Sequence, residues 1–406
     1  MKKQAGLKKN GLMMLGSSVI SQILLVLSVP FIGRLYSPEE YGLFTLFSNI
    51  AFLFIPIING RYELLIINAI DKKEAYIFSR LSVVISIILL IIILPFTLVY
   101  FYISEKPLIF LIYLLVILIL VSANNIATSY YSYKNRYDIV AYINFLRNLL
   151  LILFQLAFGF YNFGEIGLIL GFVLSYFSGV IFSFKTWKDL SEIKNVDKNE
   201  LKEKFDENID QIKYSSTSII VNTLSMSAVV FVIDYLYSNS DVGFYGMSLR
   251  VLNIPITIIS LSLSKLFMQE ANKLLMETGT FKKILQKFSL ILIIVSFCFF
   301  GPLYFIPKRF ISIVLGEQWI DIIFILKILI PMYVIRLVVT TTSLSFVILK
   351  KQKLELLLQC LFLIAIIIVG LMAYIVKLNF DSFIISFSMS FIICYLIYYY
   401  YMYKNA

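Results

Sequence analysis

The sequence predicts an all-α integral membrane protein, with twelve transmembrane helices in two six-helix lobes related by a parallel pseudo-two-fold axis. Three observations predict it. The chain is 60% hydrophobic and only 15% charged, with a mean hydropathy of +0.90, whereas a soluble domain carries about 25% charged residues. Its apolar residues fall in repeated runs near the ~20 residues that an α-helix needs to cross the hydrocarbon. The connections between runs are short, and they are alternately rich and poor in basic residues.

The spans fall at 11–35, 42–68, 80–103, 108–131, 140–161, 166–187, 214–236, 243–266, 285–306, 322–349, 354–376 and 381–403. The first follows Lys2, Lys3, Lys8 and Lys9 and starts like a signal peptide. It is long and lacks a clear small-residue cleavage site, so it counts as a span. With the N-terminus on the cytoplasmic side, the cytoplasmic connections hold 25 of the 35 Lys and Arg residues. The outer connections hold five: Arg34, Lys106, Lys308, Arg309 and Lys377. A misplaced span would scramble this asymmetry, which fixes the orientation and puts both termini in the cytoplasm. The net charge of +11 therefore reflects loop bias and attraction to anionic lipid, and no nucleic-acid partner is expected.

The longest polar connection divides the chain into an N-terminal lobe at 1–187, a cytoplasmic linker at 188–213 and a C-terminal lobe at 214–406. Leu201, Phe205, Ile209 and Ile212 recur at helical spacing in the linker, as expected of an amphipathic helix on the inner leaflet; a solvated connection is the alternative. The halves echo each other. Tyr36-Ser37-Pro38-Glu39-Glu40-Tyr41-Gly42 enters the second span and Tyr237-Ser238-Asn239-Ser240-Asp241-Val242-Gly243 enters the eighth, offset by 201 residues. Six spans per half return the chain to the same side, so the repeat must be parallel.

Several chemistries are excluded. Histidine is absent, which removes HExxH zinc sites, Ser-His-Asp triads and imidazole proton relays. Cys298, Cys360 and Cys394 are isolated in apolar runs and read as buried hydrophobes, with no disulfide framework or metal site. No cofactor is expected beyond a coupling cation, H+ or Na+, and a proton would have to ride on a carboxylate.

The remaining five basic residues, Arg61, Arg147, Arg250, Lys327 and Arg336, lie inside spans. A basic residue at the bilayer centre costs roughly 2.5–3.5 kcal/mol, and few acids lie at the same depth. The set reads as the lining of a passage for an anion. At about 1.5 Å of rise per residue, Arg336 falls near mid-membrane and Arg250 two turns in from the outer face. Arg61 and Arg147 fall in the cytoplasmic third, and Lys327 is close enough to the outer interface to snorkel.

Polar residues share faces with these arginines. Asn144, Arg147, Asn148 and Gln155 form one stripe, Gly246, Arg250, Asn253 and Thr257 a second, and Arg336, Thr340 and Ser343 a third. Ser17, Ser21 and Gln22 on the first span and Ser218, Asn222 and Ser225 on the seventh form neutral stripes, and the 201-residue offset pairs Ser17 with Ser218 and Ser21 with Asn222. Facing each other across the pseudo-two-fold, they make Asn222 a substrate-contact candidate, with helix–helix packing the alternative. Glu63 would sit about 200° around a helix from Arg61, so it pairs elsewhere or carries the coupling cation. Asp234 and Glu270 lie nearer span ends.

Gly60-Arg61-Tyr62-Glu63-Leu64-Leu65-Ile66-Ile67 followed by Asp71-Lys72-Lys73-Glu74-Ala75 resembles the second-span signature of polysaccharide biosynthesis proteins. These are the O-antigen-type flippases of the multidrug/oligosaccharidyl-lipid/polysaccharide (MOP) exporter superfamily. Pro38-Glu39-Glu40-Tyr41-Gly42-Leu43-Phe44, Val242-Gly243-Phe244-Tyr245 through Arg250 to Pro255, Phe267-Met268-Gln269-Glu270-Ala271 and Gly316-Glu317-Gln318-Trp319 continue the match in order. Each motif is short, so the order persuades more than any single one. The resemblance implies a V of two lobes opening alternately to each side of a bacterial inner membrane. It implies a polyprenyl-diphosphate-linked oligosaccharide as cargo, with polysaccharide polymerase and glycosyltransferases as pathway partners.

A multidrug exporter of the same superfamily is the alternative, although cationic drugs would be repelled by a basic lining. A membrane enzyme would be expected to show a sizeable outer loop or paired acids at a membrane face. The longest outer connection spans only residues 307–321.

Overall fold

The computed structural model describes the backbone of residues 2–193 and 196–406. The side chains of residues 2–15, 17, 18, 214, 218, 261, 262 and 352 lie outside that description.

The first half comprises α1 (Lys2–Leu35), α2 (Pro38–Phe54), a short α3 (Glu63–Ile67), α4 (Lys72–Ile103), α5 (Ile109–Tyr133) and α6 (Tyr137–Phe160). It continues through α7 (Gly164–Ser175), a single 3₁₀ turn, α8 (Val180–Leu190) and the linker helix α9 (Lys198–Glu207). The second half holds α10 (Thr217–Leu236), α11 (Asn239–Thr278), α12 (Lys282–Tyr304), α13 (Lys308–Val314), α14 (Ile322–Thr342), α15 (Ser345–Ile348), α16 (Gln352–Val376) and α17 (Phe380–Asn405). Among the described residues, ten helices are long and apolar enough to cross a membrane, and Val19–Leu35 is a shorter apolar run.

Helix α4 illustrates what organises the bundle. It buries Ser79, Ser82 and Ser86 while exposing Ile87, Ile88, Ile91, Ile92 and Phe96. Polar side chains face inward because lipid offers them no hydrogen bonds, and the apolar face meets the hydrocarbon. Buried serines bond their own helix, as Ser79 does to the Ala75 carbonyl at 2.7 Å.

The chain forms two compact units. One contains the residues up to Ser28 together with Phe47–Thr223, and the other contains Val29–Leu46 with Leu224–Ala406. In the first, α4 packs on α5, α5 on α8, and α6 on α7. In the second, α14 is central and packs on α11, α12 and α17.

The structure departs from the expected spans: α4 starts at Lys72, eight residues early, the span expected at 166–187 is interrupted by the 3₁₀ turn, and that expected at 322–349 breaks between Thr342 and Ser345. The single helix expected at 42–68 breaks after Phe54, and Ile55–Tyr62 form successive turns before α3. Pro56 and Gly60 lie in this stretch, and both Gly60 (φ 60°) and Arg61 (φ 67°) adopt the left-handed conformation. The eighth helix runs past 266 to Thr278, until Gly279 at φ 72° supplies a left-handed cap.

The 201-residue echo is realised as a contact within the second unit. Ser37 and Glu40 cap α2 reciprocally, at 2.8 and 3.2 Å, and Ser238 and Asp241 cap α11 in the same way, at 3.0 and 3.2 Å. The two helix starts then cross on glycine. A Cβ at Gly42 would lie 1.9 Å from the Asn239 carbonyl oxygen, and one at Gly243 would lie 1.8 Å from that of Pro38. One turn further, a Cβ at Gly246 would lie 2.2 Å from Thr45 Oγ1. Gly42 thus meets Asn239 while Gly243 meets Pro38, two contacts that the 201-residue offset exchanges.

The linker is a docked helix, and three of the four residues of its apolar stripe pack, half-buried, against protein, where the sequence left a lipid leaflet or solvent as the alternatives. Leu201, Phe205 and Ile212 pack on a cluster that includes Tyr62, Ile66, Phe78 and Leu190. Lys73 pairs with Glu200 at 2.7 Å, and Lys204 reaches Glu207 at 2.9 Å and Glu74 at 3.3 Å. These two carboxylates hold the Lys204 ammonium above its ordinary pKa, Glu207 more strongly.

Close by, Asp189 of α8 joins three elements. It accepts Lys72 of α4 at 2.8 Å, together with Lys134 and the Tyr130 hydroxyl at the end of α5. Replacing Asp189 by Ala removes the carboxylate from Lys134 and from a buried phenol, while Lys72 keeps Glu192 at 2.7 Å. The expected cost is about 1–3 kcal/mol, toward the lower end because the carboxylate is partly exposed. Thermal unfolding of the purified variant checks this, and an unshifted midpoint would refute it.

Candidate functional site

Arg336 lies on α14, the most enclosed helix of the second unit. Its Nη1 donates to the Tyr333 hydroxyl at 2.9 Å while its Cζ sits 4.9 Å from the centroid of the same ring. Tyr333, three residues earlier, is on the same helix face and is fully buried. Its hydroxyl accepts from Arg336 and donates to Asn253 Oδ1 of α11 at 3.4 Å. Tyr245 and Tyr395, both buried, lie within electrostatic range of the guanidinium. Among the described residues, every group acting on Arg336 is a phenol and none is a carboxylate. Among the described residues, the guanidinium thus has aromatic neighbours and no carboxylate counter-ion, so its charge is balanced only by ring faces and hydroxyl dipoles.

Arg250 is one turn before Asn253 on α11, half-buried, and its Nη1 approaches the Tyr41 hydroxyl at 3.4 Å. Asn253 and Arg336 are thus brought together through Tyr333, with Arg250 adjoining on the same helix. Gly246 of the same stripe packs on Thr45 of α2, and two further members bond within their own helices. Thr257 bonds the Asn253 carbonyl at 2.9 Å and Ser343 bonds that of Thr340 at 3.0 Å.

In the first unit, Arg147 sits 5.3 Å from the centroid of the Tyr176 ring. Asn144 and Asn148 are half-buried on either side of it along α6. Gln155, expected on the same stripe, belongs to the helix contact. It is fully buried, donates to the Leu168 carbonyl at 3.2 Å and meets Gly171 so closely that a Cβ there would be 2.8 Å from its Cγ.

Arg61 occupies the left-handed turn that breaks the second span. A non-glycine residue there costs roughly 1–2 kcal/mol, and its buried Nε finds no acceptor among the described residues. The helical geometry that separated Glu63 from Arg61 does not apply, because the chain is not helical between them. The guanidinium acts electrostatically on Glu63 without closing to an ion pair. Glu63 is 5% exposed, and its Oε2 has no hydrogen-bond partner among the described residues.

Asn222 is exposed on α10. Ser17 and Ser218, which would pair with one another in the repeat, have side chains outside the described residues. Lys327 is exposed near the start of α14, 6.0 Å from the centroid of the Tyr304 ring.

Sequence reasoning missed two groups. One is the phenols of Tyr41, Tyr245, Tyr333 and Tyr395, for which only the three-residue spacing of Tyr333 and Arg336 was a signal. The other is a buried amide network in the broken span. There, Asn59 Nδ2 reaches Ser86 at 2.9 Å and Ser122 at 2.8 Å, and Asn59 Oδ1 accepts from Asn125 at 3.0 Å.

Solved structures share this fold. A lipid II flippase, MurJ, in an inward closed conformation matches with a TM-score of 0.74 at 15% identity, covering 97% of this chain and 87% of that one. An inward-facing multidrug resistance MATE family transporter of the MOP superfamily matches with a TM-score of 0.68 at 15% identity, covering 95% and 97%. An outward-facing conformation of a multidrug resistance MATE family transporter matches at 0.57 and 16% identity, covering 98% and 95%. No curated protein matches. The family model described as polysaccharide biosynthesis protein matches residues 13–324, and the chain belongs to that family.

Proposed function

We propose that this protein is a flippase carrying a polyprenyl-diphosphate-linked oligosaccharide from the cytoplasmic to the outer leaflet, for assembly of surface polysaccharide such as O-antigen or capsule. The observation that carries the reading is Arg336, enclosed among phenols and lacking a carboxylate partner among the described residues. A guanidinium matches a diphosphate through its planar bidentate fork, and each charge-assisted hydrogen bond gains strength away from water. Arg250 and Asn253 extend the anion site along α11, while Arg61, Arg147, Asn144 and Asn148 serve the cytoplasmic vestibule and Asn222 contributes a polar contact. The lipid II flippase of the same fold supports a lipid-linked cargo.

In this reading the two lobes are related by a parallel pseudo-two-fold and rock by alternating access in a bacterial inner membrane, with both termini cytoplasmic. Glu63 is the site for the coupling cation, H+ or Na+. Glycosyltransferases supply the cargo and a polymerase consumes it.

Arg250→Ala and Arg336→Ala are each expected to abolish surface polysaccharide in a complemented deletion strain at unchanged protein level. Normal polysaccharide in both variants would refute the proposal. Drug antiport is the runner-up because multidrug transporters share the fold. It predicts altered drug susceptibility in the deletion strain, whereas the flippase reading predicts none.

A further inference from the structure

The docked linker touches both residues that flank Arg61. On one side, Phe205 of α9 stacks on Tyr62 with ring centroids 5.7 Å apart and planes 16° from parallel, and the Tyr62 hydroxyl donates to the Phe205 carbonyl at 2.8 Å. On the other side, a Cβ at Gly60 would meet Ile212 Cγ1 at 3.3 Å and Ile85 Cγ2 of α4 at 2.7 Å. Ile212 and Ile85, from two elements, therefore fill the space beside Gly60 that a side chain would occupy. Between these contacts Arg61 keeps its left-handed φ of 67°. A bulky residue persists in that region only when its surroundings over-determine it. The linker supplies two of the determining contacts, and its own seat is fastened by the Lys73–Glu200 and Lys204–Glu74 pairs.

We propose that Phe205 and Ile212 are positioning residues for Arg61. The docked linker fixes the turn that holds the guanidinium in place, and release of the linker lets the turn relax and withdraws Arg61 from the anion. The binding half of this proposal rests on the reading of Arg61 as an anion contact; the bracing half does not.

The test uses the full chain in nanodiscs with two readouts. Hydrogen exchange at residues 57–64 is expected to rise about tenfold in Phe205→Ala, with α5 unchanged, and to stay at the wild-type rate in Phe205→Tyr, which keeps the stack. Tyr62→Phe removes only the hydrogen bond and gives a smaller rise, so the proposal stays testable where Phe205→Ala fails to fold. Farnesyl diphosphate serves as the probe for binding. Phe205→Ala is expected to weaken it about tenfold, and adding Arg61→Ala to that variant is expected to cost little more, because the two act as one unit.

Unchanged exchange at 57–64 in both Phe205→Ala and Tyr62→Phe would overturn the brace. Faster exchange with undiminished probe affinity, alongside an Arg61→Ala variant that does weaken binding, would overturn the positioning role. If Arg61→Ala leaves the affinity untouched, the anion reading of Arg61 fails, and the exchange rates alone decide whether the linker braces the turn.

Discussion

Arg336→Ala is expected to weaken binding of a polyprenyl diphosphate by on the order of 10²-fold or more, because it removes two charge-assisted hydrogen bonds worth about 1.5–3 kcal/mol each. The variant should fold. Arg336 lacks a carboxylate partner among the described residues, so its loss strands no buried anion, and Tyr333 keeps Asn253 as its acceptor. Arg336→Lys separates charge from geometry. A lysine retains the positive charge but loses the planar fork and its seat over the Tyr333 ring, so it should recover only part of the affinity. Titration of purified protein in nanodiscs reads both variants. Equal affinity for wild type, lysine and alanine would remove Arg336 from the site.

The largest expected effect on stability lies at the crossing of α2 and α11. Gly42→Ala would put a methyl group 1.9 Å from a backbone carbonyl oxygen, and Gly243→Ala would do the same at 1.8 Å. The obstacle in each case is main chain at a capped helix start, so relief requires the helices to separate. We expect a loss of about 1–3 kcal/mol or more for either change, and less than the sum for the pair, since the first separation accommodates the second. Gly301→Ala is the control. Among the described residues nothing lies within 4 Å of the Cβ it would gain in α12, and alanine is the better helix former by about 1 kcal/mol. Thermal unfolding should rank the control at or above wild type and both crossing variants well below it. Equal midpoints would show that the crossing does not form.

Most of the helices were legible in the sequence because lipid permits little else. An apolar run of the right length must be helical to satisfy its backbone. The broken second span was not legible. Its hydropathy runs on through Ile55–Tyr62, and neither Pro56 nor Gly60 alone says that Arg61 will take a left-handed conformation. The echo of Tyr36–Gly42 in Tyr237–Gly243 suggested a repeat, but the reciprocal seating of each glycine on the opposite carbonyl depends on tertiary packing.

The candidate site was half legible. Four arginines stood out because charge inside apolar runs is rare. The phenols around Arg336 did not, because 27 tyrosines are spread along the chain and only packing around the guanidinium selects three of them. The linker stripe of Leu201, Phe205 and Ile212 was visible, yet an amphipathic pattern does not say whether lipid or protein covers it. Here α3 and α4 do, and that turns a connecting segment into part of the surroundings of Arg61.

The central claim is tested most directly by reconstitution. Wild-type protein and Arg336→Ala are placed in liposomes carrying a polyprenyl-diphosphate-linked oligosaccharide in the inner leaflet, and its appearance outside is followed with an impermeant lectin or glycosidase. The account predicts protein-dependent transfer with wild type and none above empty liposomes with Arg336→Ala. Transfer by the two at equal rates, or no transfer by wild type in the presence of either a proton or a sodium gradient, would contradict it.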